Sequence, residues 1–309
     1  MVDKHPTCRL CGQLNVQDLG TIPDSDFFAG RALSSAISGG HLWRCRACHS
    51  MFRHPAMAAP HYLELYEAGS PTQWSGGDQR LDFRLLRASL SARPQVDSVL
   101  DVGCGSGDFL ASLPKGMARF GVEPAPQAAH NAQSRGINIV APTIEQIPCA
   151  AQFAAVTMID VIEHVLDPPA FLTNAFSHVR PGGILAVSTG DPDNPMWRRL
   201  FRSRFWYCAF PEHVSFPSSR FFQQWSERNR AASMERLVTR YEQLNWGHSA
   251  LCLLMQCGYL ASPAAFNLVG RMGGKLIRSL GGHHRYFSPG VPGLFADHQI
   301  LTITRALDT

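Results

Sequence analysis

The sequence predicts a doubly wound α/β fold with a mostly parallel sheet, preceded by a small cysteine-bearing module. Three observations predict this architecture. Between residues 96 and 188, short apolar runs alternate with stretches of helical periodicity. A glycine-rich segment at 103–107 joins the first apolar run to the helical stretch that follows it. Two Cys-x-x-Cys pairs lie ahead of this alternating region.

Length and composition describe an ordinary globular protein. The chain has 309 residues, of which 45% are hydrophobic and 17% charged, enough for one large domain and a small module. A formal net charge of +4 is modest, and we expect no nucleic-acid partner. We expect neither a signal peptide nor a membrane-spanning segment, because no apolar run approaches about 18 residues. The expected location is cytoplasmic, with peripheral membrane contact and the oligomeric state left open.

The two cysteine pairs predict a metal site in residues 1–55. They are Cys8 with Cys11 and Cys45 with Cys48. In a chain without an export signal, such pairs favour metal ligation over disulfides. Four thiolates at this spacing favour a closed, tetrahedral, structural Zn²⁺ site of the zinc-ribbon type. A redox pair or a chance arrangement is the alternative.

The remaining elements follow in order along the chain. Residues 56–95 are predicted to form bridging helices, and residues 96–309 a single α/β domain. Apolar runs at 96–102, 118–122, 137–140, 153–159 and 184–188 predict strands, with helices between them. Strands that are apolar throughout are buried on both faces, which is typical of a parallel sheet. Lid or acceptor-binding elements are expected at 190–230 and 243–295, with helices from 218 to about 280 and a last strand at 298–304.

The glycine-rich segment predicts a nucleoside-binding turn. Gly103, Gly105 and Gly107 follow Asp101 at the end of the first predicted strand, where open α/β sheets bind their ligands. A dinucleotide fingerprint would need its third glycine at 108, but this position is an aspartate, which would repel a pyrophosphate at a helix N-terminus. Glu123 ends the next strand, where a carboxylate can accept hydrogen bonds from ribose hydroxyls.

Several segments together resemble a known family. DVGCGSGDFL, FGVEP, VTMIDVIEHVLDPPAFL and VRPGGILAVST are similar, in order, to the motifs of class I S-adenosylmethionine (SAM)-dependent methyltransferases. The resemblance implies a Rossmann-like sheet and SAM as cofactor, with Cys104 in the binding turn. It also implies that Thr143 and Ile144 lie near the adenine. Asp160 is expected beside the methionine moiety or the acceptor.

The segment IDVIEH raises the question of a second metal. Asp160, Glu163 and His164 stand at i, i+3 and i+4, so a helical turn would place them on one face. This segment is similar to that of ubiquinone-pathway O-methyltransferases, and the resemblance implies that such a cluster can bind Mg²⁺. We prefer the simpler interpretation, in which Glu163 and His164 shape the helix start and line the cleft.

The segment PEHVSF predicts the catalytic base. Glu212 and His213 match a Glu-His pair of sugar C-methyltransferases, relatives that also carry an N-terminal CxxC…CxxC module. The resemblance implies that His213 removes a proton from the acceptor with support from Glu212, while His164 lies in the same site. Alternatively, His213 only bonds the backbone of its loop.

The sequence therefore predicts an enzyme that transfers a methyl group from SAM to an oxygen or carbon of a small-molecule acceptor, for example a sugar or a phosphate-bearing compound. Arg198 and Arg199 in the expected lid are candidates to bind a phosphate, or they form a solvated face. A non-catalytic zinc and SAM-fold binding protein and a nicotinamide-dependent oxidoreductase are the alternatives. Residues 267–285 predict a helix that covers the core rather than one that lies on a membrane surface.

Overall fold

The structure is a computed structural model that describes residues 6–29, 31–58, 61–62, 64–65, 80–237, 246–262 and 298–307. Its N-terminal part consists of five short strands, which are β1 (Val16–Thr21), β2 (Ser25–Phe28), β3 (Arg31–Ile37), β4 (His41–Cys45) and β5 (Met51–His54). Strands β1, β4 and β5 are antiparallel neighbours, while β2 and β3 form a separate antiparallel pair.

A seven-stranded sheet follows, and it confirms the predicted fold class. Its strands are β6 (Ser98–Val102), β7 (Ala118–Val122), β8 (Asn138–Ala141), β9 (Phe153–Ile159), β10 (Val179–Gly190), β12 (Ala231–Arg236) and β13 (His298–Arg305). They are ordered β12-β13-β10-β9-β6-β7-β8, and every pairing from β10 to β8 is parallel. Strand β13 is antiparallel to both β10 and β12, so the sheet is mostly parallel.

Helices cover both faces of this sheet. They are α1 (Leu81–Ser91), α2 (Asp108–Ser112), α3 (Pro126–Ser134), α4 (Pro168–Ser177) and α5 (Ser219–Arg228). A sixth helix, α6 (Trp246–Ala261), packs instead against the aromatic turn Trp206–Ala209. Successive strand residues point to opposite faces. Leu100 therefore packs with side chains of α4 and α5, whereas Val99 packs with side chains of α1 and α2. Two apolar layers result, one on each face of a doubly wound sheet.

The chain segment after α5 differs from the sequence prediction. We expected helices from 218 onwards, but Ala231–Arg236 forms strand β12 at the edge of the sheet. Its residues are mostly exposed or half-buried, as expected where only one neighbouring strand is present. Pairing with β13 therefore decides the conformation of this short polar segment. Residues 263–297, including the helix predicted at 267–285, lie outside the described residues.

The N-terminal sheet is completed by a strand from the other half of the chain. Strand β11 (Ser215–Phe216) pairs with β5 and makes the four-stranded antiparallel order β1-β4-β5-β11. The module predicted at 1–55 and the element predicted at 190–230 therefore share a sheet. No helix in the described part of the chain is both long and apolar enough to cross a membrane.

Candidate active site

A cleft opens at the carboxyl ends of the parallel strands, between β6 and β9. The chain runs outward from β6 to β8 on one side and from β9 to β10 on the other, so the strand order reverses at this point. Ligands of open α/β sheets bind at such switch points. The cleft has a volume of about 610 Å³. Eight of the nine predicted cofactor residues line it: Asp101, Gly103, Cys104, Gly105, Glu123, Thr143, Ile144 and Asp160.

The three glycines of the turn are required for two different reasons. All have positive φ angles, +72° at Gly103, +55° at Gly105 and +77° at Gly107, where other residues are strained. A Cβ on Gly107 would lie 2.0 Å from Cδ1 of Ile137, so this ninth residue serves close packing behind the cleft wall. A Cβ on Gly105 would meet no heavy atom within 4 Å. Gly105 therefore leaves open space at the cleft.

Two predicted carboxylates lie at the cleft wall, and one of them supports the turn. Glu123 accepts hydrogen bonds from the backbone N–H groups of Gly105, at 2.8 Å, and Ala125, at 2.9 Å. Burial nevertheless raises the pKa of Glu123. Asp101 is buried and accepts a hydrogen bond from Oγ1 of Thr157 at 2.6 Å, and burial raises its pKa to about 7. Glu123 thus fixes the turn while its carboxylate stays at the cleft wall.

Asp160 is held between Arg80 and His298, two partners that sequence reasoning missed. Its carboxylate accepts a hydrogen bond from Arg80, and its Oδ1 lies 3.2 Å from Nε2 of His298. Although burial opposes ionisation, these two neighbours hold the pKa of Asp160 well below its usual range. Arg80 also bonds Asp82 at the start of α1 and lies over the ring of Phe83. Arg80 and Asp160 are 80 residues apart, so no local sequence pattern connects them.

Glu163 does not share a helical face with Asp160, contrary to the arrangement considered for a magnesium site. Asp160 has a φ of +54° and lies outside the single 3₁₀ turn Ile162–His164. The carboxylate of Glu163 is buried and accepts hydrogen bonds from the hydroxyls of Thr189, at 2.8 Å, and Tyr207. Burial raises its pKa to about 7. The ligand atoms that do approach one another, within 4.8 Å, belong to Glu163, His164 and His213.

The two predicted histidines are neighbours. The rings of His164 and His213 are 4.8 Å apart, edge to face. His164 lines the cleft, whereas His213 lies behind it with 5% exposure. Burial lowers the pKa of His164 to about 4 and, together with the proximity of His164, that of His213 well below 6.5. Both rings are therefore neutral at pH 7.

His213 is oriented by a carbonyl rather than by Glu212. Its Nδ1 lies 3.0 Å from the carbonyl oxygen of Tyr207, which can only accept. Nδ1 therefore carries the proton and Nε2 has a lone pair. Glu212 instead accepts a hydrogen bond from the backbone N–H of Ala29 at 3.2 Å. Burial raises the pKa of Glu212 to about 7.

The four cysteines predicted as metal ligands form one cluster. All four Sγ atoms lie within 4.8 Å of one another, with 3.8 Å between Cys8 and Cys48 and 3.5 Å between Cys11 and Cys45. A disulfide would need about 2.05 Å. Four sulfurs around a tetrahedral zinc at about 2.3 Å are separated by about 3.8 Å. The thiols are thus unbridged and spaced as a tetrahedral metal requires.

The arginines of the expected lid are not in the cleft. Met196–Phe201 forms one π-helical turn, in which Trp197 is buried and stacks on Phe205. Arg199 is exposed, and neither it nor Arg198 lines the cleft. The segment is an aromatic cluster, and these two arginines lie outside the cleft lining.

Comparison with known proteins identifies the family. A family profile described as "Methyltransferase domain" matches residues 75–229. The chain belongs to this methyltransferase family. Fold, cleft and family together confirm the class I SAM-dependent methyltransferase that the motifs predicted, and they disfavour the nicotinamide-dependent oxidoreductase.

Individual relatives of this methyltransferase cover parts of it. The ubiquinone biosynthesis O-methyltransferase of Parvibaculum lavamentivorans is 32% identical over 174 residues, which cover 52% of this chain and 66% of that protein. The enzyme of the same name from Methylobacterium nodulans is 35% identical over 100 residues, 30% of this chain and 40% of that protein. The N-methyltransferase NodS from Bradyrhizobium japonicum, solved with S-adenosyl-L-homocysteine (SAH), is 17% identical with a TM-score of 0.45, covering 79% of this chain and 97% of that one.

Proposed function

We propose that this methyltransferase transfers the methyl group of SAM to an oxygen or carbon atom of a small-molecule acceptor. One observation supports the cofactor most directly, namely the charge of the cleft wall. Among the described lining residues, five are carboxylates (Asp101, Asp108, Glu123, Glu145 and Asp160), while one is a guanidinium (Arg80). Asp160 is paired with Arg80 and Asp108 with Arg135, and burial raises the pKa of Asp101 and Glu123. The lining nevertheless carries more acidic than basic groups, which favours a cationic ligand over a pyrophosphate.

Each part of SAM has a chemical counterpart in this cleft. Glu123 would accept hydrogen bonds from the ribose hydroxyls, and Thr143 and Ile144 would line the adenine pocket. Arg80 would bind the carboxylate of the methionine moiety, and Asp160 its ammonium group. When bound, SAM supplies an electrophilic methyl group on a sulfonium, and the protein contributes mainly the alignment of the acceptor with it.

We assign His213 the role of general base. Its Nε2 has the lone pair needed to accept the acceptor's proton, because Nδ1 donates to Tyr207. His213 does not itself line the cleft, so the acceptor's proton would reach it past His164, whose ring lies at the cleft wall 4.8 Å from that of His213. The carboxylate of Glu163 lies close enough to stabilise the imidazolium that proton transfer would create. The name of the relatives favours oxygen as the acceptor atom.

Labelled SAM, incubated with the full chain and fractionated small-molecule extracts, tests this function. We expect a labelled product, and we expect His213→Ala to lower turnover at least about 100-fold while SAH still raises the melting temperature. His130→Ala, at an exposed position on α3, is the matched control. Failure of both SAM and SAH to bind would favour the non-catalytic binding protein, and near wild-type turnover of His213→Ala would remove the base assignment.

We further propose that Cys8, Cys11, Cys45 and Cys48 bind a structural zinc ion. Their spacing fits tetrahedral thiolate ligation and leaves no open position for catalysis. Metal analysis of freshly purified protein should find close to one zinc per chain, and Cys45→Ser should abolish it. The exposed Cys149→Ser is the control. Unbridged thiols also fit a reducing, cytoplasmic location.

A further inference from the structure

Arg53 on β5 is a buried arginine outside the cleft, with 3% exposure. Its guanidinium donates to four backbone carbonyls. Nε donates to His213 at 3.2 Å, and Nη1 to Gly39 at 2.8 Å. Nη2 donates to Cys208 at 2.8 Å and to Phe210 at 3.0 Å. Three of the four carbonyls therefore belong to the turn 208–213, which carries the proposed base.

Burying a guanidinium is costly, so its position requires a reason. Desolvation costs several kcal/mol, and an apolar side chain of similar volume often fills such a space without loss of stability. A fork of several N–H donors can, however, fix several carbonyls of an irregular turn at once, which an apolar side chain cannot do. The contacts of Arg53 are of this kind.

The contacts fix the turn on both sides of the imidazole. Arg53 binds the backbone of His213 itself and that of Cys208, which follows the Tyr207 carbonyl that orients Nδ1. Beyond the turn, the N–H of Arg53 donates to the carbonyl of Val214 at 3.0 Å. The N–H of Val214 donates to the carbonyl of Glu163 at 2.8 Å. His213 is thus joined to β5 on one side and to the Glu163 turn on the other.

We propose that Arg53 is a positioning residue that holds the turn 208–213 and thereby places the His213 ring beside His164 and Glu163. The N-terminal, cysteine-bearing part of the chain is accordingly a component of the active site. The expected effect of Arg53 on methyl transfer rests on the proposed function, whereas its role in ordering the turn 208–213 does not.

Hydrogen–deuterium exchange on the full chain tests this role, with Arg53→Lys and Arg53→Met compared with wild type. Lysine keeps the charge but cannot reach four carbonyls in a planar fork. In both variants we expect amides of 208–216 to exchange at least about tenfold faster, with 98–123 unchanged and SAH affinity within about twofold of wild type. Arg305→Lys is the matched control, because Arg305 donates to two backbone carbonyls, those of Ser177 and Val179.

Two results would overturn the proposal. If the amides of 208–216 in Arg53→Lys exchanged at the wild-type rate, the planar fork of Arg53 would not be needed. Should Arg53→Met fail to fold, Arg53→Lys alone provides the test. Equal acceleration at 98–123 would show that Arg53 supports the whole fold. In the methyl-transfer assay, we expect kcat to fall with KM for SAM unchanged. If wild-type protein bound no SAH, the proposed function would fail while the exchange result would still stand.

Discussion

At the residue scale, Gly105 leaves space for a ligand, whereas Gly107 allows close packing against Ile137. A Cβ on Gly105 meets no protein atom within 4 Å, so Gly105→Ala should cost only the strain of its φ angle, about 1–2 kcal/mol. Gly105→Ala should weaken SAH binding about tenfold or more, because the added methyl group would occupy space in the cleft. Gly107→Ala should instead cost about 2–4 kcal/mol, because its Cβ would collide with Ile137. Calorimetric SAH titration and denaturant unfolding measure the two effects, and a reversed order of stability losses would contradict this assignment.

Glu212 should make stability depend on pH. Burial raises its pKa from 4.5 to about 7, so between these values the native state keeps a proton that the unfolded state has released. The free energy of unfolding therefore falls as pH rises, and the contribution present below pH 4.5 is lost above about 7.

Glu212→Gln should remove this part of the pH dependence. We expect the variant to gain up to about 3 kcal/mol relative to wild type between pH 4.5 and 8. Denaturant unfolding across this range measures it, with the exposed Glu227→Gln as the control. Parallel pH profiles for wild type and Glu212→Gln would show that Glu212 is ionised in the native protein.

Residues that carry a local pattern could be predicted, and residues that depend on distant partners could not. The glycine turn and Glu123 follow directly from strand, turn and strand in order. Arg53, Arg80 and Tyr207 have no such pattern, because their partners are brought to them by the fold. Arg53 and His213 are 160 residues apart, and Tyr207 and Glu163 are 44 apart.

At the element scale, helix α5 is tied to the cysteine cluster through its N-cap. The Ser218 hydroxyl accepts from the N–H of Phe221 and donates to the carbonyl of Cys48, and the N–H of Ser218 donates to Oγ of Ser50 at 3.0 Å. Ser218→Ala should therefore lose the cap and leave a buried carbonyl without its donor, a cost of about 2–4 kcal/mol.

Asp167→Ala is the matched comparison for this cap. Asp167 caps α4 at an exposed position by accepting from the N–H of Ala170 at 3.2 Å, so we expect a loss of only about 1 kcal/mol. Denaturant unfolding of both variants measures the difference. Equal losses would mean that the bond from Ser218 to Cys48 contributes nothing to stability.

The predictability of elements follows from their burial. Strands β6, β9 and β10 are largely buried apolar runs, whereas β7 and β8 are partly exposed towards the end of the sheet. The alternation of strand and helix along the sequence predicted all five. Strand β12 is polar and has one neighbouring strand, and β11 is only two residues long. Neither therefore shows the alternation of apolar and polar residues by which a strand is predicted from sequence. Both exist because an existing strand offers unpaired N–H and C=O groups. One of them, β11, positions the segment that follows His213.

At the scale of the whole molecule, the cysteine cluster and the large sheet share buried contacts. The β5–β11 pairing, the carbonyl bonds of Arg53 and those of Ser218 all join the N-terminal part to the segment 208–218. Breaking any of these contacts exposes buried polar groups. We therefore expect the two parts to unfold together rather than in succession.

Heating the zinc-loaded full chain tests this cooperativity. Zinc release, followed with a chromophoric chelator, should share its midpoint with the loss of far-UV circular dichroism to within about 2 °C, since coincident probes indicate one transition. Adding SAH in large excess should raise both midpoints equally, because a ligand of the large domain then stabilises the cysteine cluster as well. Ser218→Ala should lower both midpoints together. Zinc release well below the loss of secondary structure, with only the later transition responding to SAH, would show that the N-terminal part is independent and that its contacts do not couple it to the active site.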